Sequence, residues 1–342
     1  MLTGDSTAVV AYPNGSSSFL ARIDIPTDST YARTMHDLSL ESSKHPTPPY
    51  NNMAEWWNDY PRQRIREARK AIGLPASDEV GALSDLINRL RSAAEENLGE
   101  KITEAVASTP NLVALYDEDV RDAFEHSDLK FPPLTRFDYK PVSTIAAYLG
   151  YGMGICQNYT DRYKCWYEQH YMPFHTVMAV TFTRHVLHVT LTPVQSILYI
   201  WEPQYRTHWE WGLGLETLDY AQTPVDEASY WAKVVNGLRY VMDDRPYYPR
   251  PDKIILLGES AGDPRFRKAL EEAVLSEMDE MPPVYDHDAK FVAARGAAEF
   301  AKRSPYDWHN DPNAEPPKVP DDDPDAPEPP HAAVVETVGE LR

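Results

Sequence analysis

The sequence predicts an α/β fold on three observations. Strand-length apolar runs recur along the chain, stretches of helical spacing alternate with them, and a strand–Gly-rich turn–helix unit lies around Gly258. Residues 7–12 form a short apolar run, Pro13-Asn14-Gly15-Ser16 supply turn chemistry, and residues 19–25 resume the pattern, which predicts a hairpin. His45-Pro46-Thr47-Pro48-Pro49-Tyr50 is excluded from helix by its prolines and reads as a fixed surface loop. Residues 62–72 and 81–98 show helical spacing, with Leu83, Leu86, Ile87 and Leu90 on one face. Residues 101–108 read as a strand. Residues 115–126 follow as a helix whose first turn carries Asp117, Glu118 and Asp119, which suits its dipole.

After a loop with Pro132, Pro133 and Pro141, residues 144–149 are a short helix running into Gly150-Tyr151-Gly152-Met153-Gly154. Residues 176–192 are β-branched and read as a hairpin or two consecutive strands. A helix at 227–242, a buried strand at 253–257, a helix at 265–278 and a small-residue helix at 291–303 complete the folded part.

Of 342 residues, 53 are acidic and 33 basic, a formal charge of −20. Such a chain lacks the counterion-release term that drives duplex binding, so nucleic acid is excluded as the expected partner. Residues 304–342 hold ten acidic and two basic residues and nine of the 30 prolines. They read as a disordered, solvated acidic tail, with a docking segment as the second reading. The first residues show neither a basic lead nor a signal-length apolar run, and no apolar stretch is long enough to span a bilayer. A soluble cytoplasmic protein without membrane partners is the expectation. With only Cys156 and Cys165, a disulfide scaffold and a four-cysteine zinc site are excluded. Two unpaired thiols are expected, with a local disulfide as the alternative.

The turn Gly258-Glu259-Ser260-Ala261-Gly262-Asp263-Pro264 is the best chemical feature. Small residues between a strand's carboxyl end and a helix let a nucleotide approach the backbone and the helix dipole, although a plain connection suits the pattern equally. It is neither a GxGxxG nor a Walker A sequence. Gly150, Gly152 and Gly154 fit a phosphate-approach loop or, more simply, close packing of two elements. His185 and His188, three apart in a strand-like run, point to opposite faces and cannot share a metal, and His170 and His175 lack a clear third ligand. Trp56-Trp57 and the group Trp201, Trp209, Trp211 read as core, with a partner surface as the second reading.

Four segments in order resemble the ATPase domain of the seventy-kilodalton heat-shock chaperones, within the actin-like superfamily. These are residues 102–110 with 115–129, Ala146-Ala147-Tyr148-Leu149-Gly150-Tyr151-Gly152, Leu256-Leu257-Gly258-Glu259-Ser260-Ala261-Gly262-Asp263-Pro264, and Ala293-Ala294-Arg295-Gly296-Ala297-Ala298. They look like that family's strand and helix of the first lobe, connecting helix, adenosine loop and closing helix. The nearer likeness is to divergent fungal-type proteins described as actin-like ATPase-domain proteins. The resemblance implies a ribonuclease-H-like, two-lobed fold, with residues 1–150 as the first lobe, 151–303 as the second and 304–342 as the tail. By the same resemblance, Gly258, Ser260, Gly262, Asp263, Gly150 and Gly152 become the expected cofactor-binding residues.

The departures from the family are pronounced. The first phosphate hairpin and its Asp should precede residues 8–12, where the chain has Met1-Leu2-Thr3-Gly4-Asp5-Ser6-Thr7. The second should fall at Thr181-Phe182-Thr183-Arg184-His185-Val186, which has neither Asp nor Gly, although Arg184 can attract an anion. Ser143 stands for the connecting acid, Glu259 for the second glycine of the loop and Gly262 for the adenine-stacking arginine. Only 34 residues separate Leu218 from Lys253, too few for the lobe that closes over adenosine. No segment resembles a peptide-binding chaperone domain.

The expectation is therefore a degenerate, shortened pseudo-ATPase that binds a protein partner. ATP is at most a weak ligand, Mg²⁺ is not expected, and no residue is assigned a catalytic or metal role. An active chaperone-type ATPase from a truncated gene model is the alternative; truncation does not explain residues 181–186.

Overall fold

The structure is a computed structural model and describes residues 5–303, apart from 13, 15, 27, 133–141, 198–205, 222 and 243–248. The expected tail, Trp201, the first four residues and the turn residues Pro13 and Gly15 lie outside the described residues. In the first half, β1 (Asp5–Ala11) and β2 (Ser17–Asp24) form the expected antiparallel hairpin, with a register shift between Ala8 and Val9. Four helices follow: α1 (Thr30–Leu38), α2 (Met53–Ala71), α3 (Asp78–Leu98) and α4 (Asp117–His126). Helix α2 begins nine residues before the expected start because Asn52 caps it, its side chain accepting from the Glu55 N–H at 3.0 Å. Ser77 caps α3 in the same way, and Gly99 ends it in the left-handed region at φ 76°. The apolar face of α3, Leu83, Leu86, Ile87 and Leu90, is buried against α1 and α4.

Charge joins α2 to α4. Arg66 is buried and donates to Asp119 at 2.7 Å and Asp122 at 2.6 Å, while Arg62 contacts Asp59 and Glu118. Burial pushes the Asp119 carboxyl up, against the pull of Arg66. Arg66→Ala leaves that carboxylate buried without its counter-charge and is expected to cost about 3–5 kcal/mol in denaturant unfolding. The double change Arg66→Met with Asp119→Leu is expected to recover most of the loss, whereas an undiminished loss would contradict this account.

Residues 101–108 correct the sequence expectation. They are extended but form no named strand; Glu104 makes one parallel bridge to Lys130, through Ala105 N–H to Lys130 O at 3.1 Å and Lys130 N–H to Thr103 O at 2.9 Å. A strand is a ladder rather than a local conformation, and here a continuous partner is lacking on both edges among the described residues.

The second half is built on a five-stranded mixed sheet in the spatial order β5 (Arg206–Glu210), β4 (Leu187–Val194), β3 (His175–Phe182), β6 (Lys253–Leu257), β7 (Val284–Tyr285). It is preceded by α5 (Ser143–Gly150) and α6 (Arg162–His170). The expected hairpin is β3 (His175–Phe182) with β4 (Leu187–Val194), and β5 (Arg206–Glu210) extends it antiparallel. Helix α7 (Pro224–Tyr240) leads to β6 (Lys253–Leu257), which is parallel to β3. Helix α8 (Pro264–Leu275), the short β7 (Val284–Tyr285) and α9 (Val292–Arg303) follow. Strand alternation divides the core. Met178, Val180, Phe182, Ile254 and Leu256 face α7 and α8, while Val177, Ile255 and Leu257 face α5 and α9. The sheet is therefore covered on both sides, a three-layer arrangement.

Cys156 and Cys165 form a disulfide, with Cα atoms 5.0 Å apart, which corrects the expectation of two free thiols. The first turn of α6, capped by Asp161, returns Cys165 over the buried Cys156. No helix among the described residues is long and apolar enough to cross a membrane.

His188 lies buried on the ring of Trp209, centroids 3.6 Å apart, and bonds the Thr207 hydroxyl at 3.1 Å. Burial, aided by His208, pushes its imidazole from 6.5 down to about 3. Between these values the unfolded chain binds the proton that the folded chain refuses, so this contribution to stability is lost as pH falls from 6.5 toward 3. His188→Gln is expected to make the fall of Tm over that interval shallower than in the parent; parallel curves would contradict the assignment.

Candidate functional site

Parallel pairing of β3 with β6 brings their carboxyl ends together, with Thr181 opposite Leu257. Gly258 leaves β6 at φ 95°, and a Cβ there would stand 2.4 Å from the Phe182 carbonyl oxygen. Only glycine fits this position. The loop then fastens to β3, with Ser260 N–H donating to Phe182 O at 3.2 Å and Gly258 N–H to Ala289 O at 3.2 Å. Phe182 stacks on Phe266 of α8 at 4.2 Å, fixing the helix behind the loop.

The β3–β4 turn, residues 183–186, closes on itself. Thr183 Oγ1 accepts from His185 N–H at 3.2 Å and Val186 N–H at 3.0 Å, and Thr183 N–H donates to Val186 O at 3.0 Å. Arg184 N–H donates to Glu259 Oε1 at 2.7 Å. His185 pairs with Glu216 at 2.6 Å, and the backbone of Leu215 and Glu216 bonds the Thr183 and Arg184 carbonyls. Every N–H of the turn has a partner within the protein, and a carboxylate occupies the one facing the Gly258 loop. The turn therefore presents no free backbone N–H to an anion, and the Glu259 carboxylate lies against it.

The other expected residues are placed as follows. Ser260 is buried. Asp263 is the N-cap of α8, accepting from Arg265 N–H at 2.8 Å and gripped by the Arg265 guanidinium at 3.1 and 2.9 Å. The hydrogen bond from Arg265 holds its carboxyl below the usual carboxylate range. Gly262 is exposed, and a Cβ there meets nothing within 4 Å.

Gly150 and Gly152 are not brought to this loop. A Cβ on Gly150 would lie 2.0 Å from Val292 O, and one on Gly296 would lie 1.6 Å from Ala146 O, so α5 and α9 cross backbone to backbone on reciprocal glycines. Gly152, at φ 79°, caps α5: its N–H bonds Leu149 O at 2.8 Å and the next N–H, of Met153, bonds Tyr148 O at 3.2 Å. That is a Schellman ending. Both positions have structural work, which at Gly150 glycine alone performs and at Gly152 favours glycine.

A cavity of about 530 Å³ opens beside the loop, between β1 and residues 101–108, with Gly258, Glu259, Thr181 and Thr183 at its end. Of the six expected cofactor-binding residues, only Gly258 lines it. Sequence reasoning missed Thr183 and Glu259, the residues that close the turn; a hydroxyl at its start and an acid in the loop were the available signals. Among the described residues, no group of three or more His, Cys, Asp or Glu side chains can hold a metal ion. Trp209 and Trp211 stack at 5.8 Å, and Trp211 Nε1–H donates to Ser39 Oγ at 2.8 Å, which ties β5 to α1. Trp57, by contrast, is 62% exposed beside Tyr60.

No family model matches the chain, and no curated protein matches it. Among solved structures, it is similar to the ethanolamine utilization protein EutJ from Carboxydothermus hydrogenoformans. The identity is 13%, 65% of this chain and 75% of that chain are covered, and the TM-score is 0.42.

Gly258→Ala is expected to destabilise the chain by about 2 kcal/mol or more, because strain at positive φ adds to a clash with immovable backbone. Gly262→Ala is expected to stay within about 0.5 kcal/mol of the parent in the same unfolding experiment. Equal effects would show that the loop is not anchored at Gly258.

Proposed function

We propose that the chain is a degenerate, two-lobed actin-like protein, divided at residues 1–150 and 151–303, that does not turn over ATP and acts by binding a protein partner. The observation that carries this reading is the closed β3–β4 turn, whose Arg184, His185 and Val186 N–H groups are all satisfied by Thr183 and Glu259. Phosphoryl transfer rests on positioning and charge stabilisation of the phosphates, and the backbone of this turn has no free N–H with which to position them. The five-stranded mixed sheet and the four ordered segments of resemblance support the actin-like part of the reading. Asp263, held by Arg265 as a helix cap, is not available as a ligand for a sugar or a metal.

Met53, Trp57 and Tyr60 lie on one face of α2 and are each exposed, giving an apolar strip that suits a binding role. A net charge of −20 disfavours a nucleic-acid partner.

Thermal unfolding with and without millimolar Mg-ATP tests the nucleotide part. A ligand at a hundred times its dissociation constant adds about 2.7 kcal/mol, which raises Tm by several degrees in a chain of this size. The expected outcome is no resolvable rise in Tm and no phosphate release above buffer. A Mg²⁺-dependent rise of several degrees, accompanied by phosphate release, would overturn the pseudo-ATPase reading.

A further inference from the structure

The cavity beside Gly258 has backbone for two of its walls. On one side, β1 is hydrogen-bonded to β2 alone, so its other edge carries no strand among the described residues. On the other side, Thr103 and Ala105 turn their backbone groups toward Lys130. Alternation along an extended chain then turns the N–H and C=O of Glu104 and Val106 the opposite way, toward the cavity. Neither residue's backbone makes a hydrogen bond among the described residues. Leu90 and Ala94 of α3 and Ala294 and Ala298 of α9 supply apolar surface to the remaining walls, with the charged Arg91, Lys290 and Lys302 beside them. Two unsatisfied strand edges facing each other across this space define a place for a strand.

We propose that this cavity is a slot for one further β-strand, and that Ala332-Ala333-Val334-Val335-Glu336-Thr337-Val338 of the same chain fill it. A strand covered by helices on both faces is read as a continuous apolar run, rich in β-branched residues. Residues 332–338 have an apolar, β-branched character with three valines and a threonine, interrupted by Glu336, and all nine prolines of 304–342 lie before them. Helix α9 presents alanines to the cavity, which leaves room for valine side chains. Lys101 and Lys290 also line the cavity and suit the carboxylates of Glu336 and Glu340.

Length permits the arrangement. The five β1 residues of the wall span about 17 Å, and seven extended residues span about 24 Å. The last turn of α9, with Ala301 and Lys302, is itself part of the lining, so the connection starts at the slot. The 28 residues from 304 to 331 reach as far as about 90 Å when extended, several times what is needed. Because the strand is tethered, its insertion is intramolecular and favoured by its effective concentration over an untethered segment of equal affinity. The inference is independent of the nucleotide reading.

Hydrogen exchange on the full chain tests it. Amides of 333–338 are expected to exchange at least about tenfold more slowly than those of 306–323, with Glu104 and Val106 protected alongside them. Val335→Pro removes a ladder donor and is expected to release both sets while leaving β3 and β6 protected. Val335→Thr, which keeps the β-branched side chain, is expected to retain the protection. The proposal is overturned if 333–338 exchange as fast as 306–323, if Glu104 and Val106 stay protected in Val335→Pro, or if their protection depends on protein concentration. The last two results would assign the slot to another occupant, the final one to a second copy of the chain.

Discussion

The contact between Gly258 and the carbonyl of Phe182 is the constraint on which the site depends. A side chain at 258 would meet that oxygen at 2.4 Å, so the chain leaving β6 is pressed against the end of β3. From that approach the rest follows. Ser260 N–H reaches Phe182 O, the Glu259 carboxylate reaches the Arg184 N–H, and Thr183 gathers the remaining donors of the turn. Backbone polar groups must find partners, and here they find them within the protein rather than in a ligand. The same closeness that would let a phosphate approach lets one part of the protein approach another.

A second pair of glycines holds the opposite face of the sheet. Gly150 and Gly296 let α5 and α9 cross at backbone distance, and Arg295 strengthens the crossing by donating to Gly150 O at 2.7 Å. Side chains of both helices then fill the layer against Val177, Ile255 and Leu257. Helix α9 also touches the first half, where the Thr7 hydroxyl bonds the Lys290 carbonyl at 3.4 Å just before it. The cavity lies where these pieces meet: α9 forms one wall, β1 another, and the Gly258 loop its end.

Periodicity made most elements legible, because period and breakers are local properties. The faces of α3, the β3–β4 hairpin, β6 and α8 could be read from residue types alone. What stayed hidden depends on partners distant in the chain. Residues 101–108 have strand composition but lack a ladder, which no local pattern reveals. The buried Arg66–Asp119 pair spans 53 positions, and Arg66 looks like any other residue of a basic helix. Cys156 and Cys165 were judged by compartment, whereas the turn into α6 decides their distance. Gly150 and Gly152 show the limit of motif reading at the site: a phosphate loop, a helix crossing and a Schellman cap all ask for glycine. Gly258 was identified as special, but its neighbours Thr183 and Glu259 decide what the loop can hold.

The central claim is that the β3–β4 turn has no free backbone N–H to offer a phosphate. Backbone amide resonances of Arg184, His185 and Val186, followed in the full chain as Mg-ATP is added, test this most directly. The expected result is slow exchange at all three amides before addition and unchanged chemical shifts throughout. Fast exchange in the free protein, or a saturating shift at these amides on titration, would show open donors that receive the nucleotide and would contradict the account.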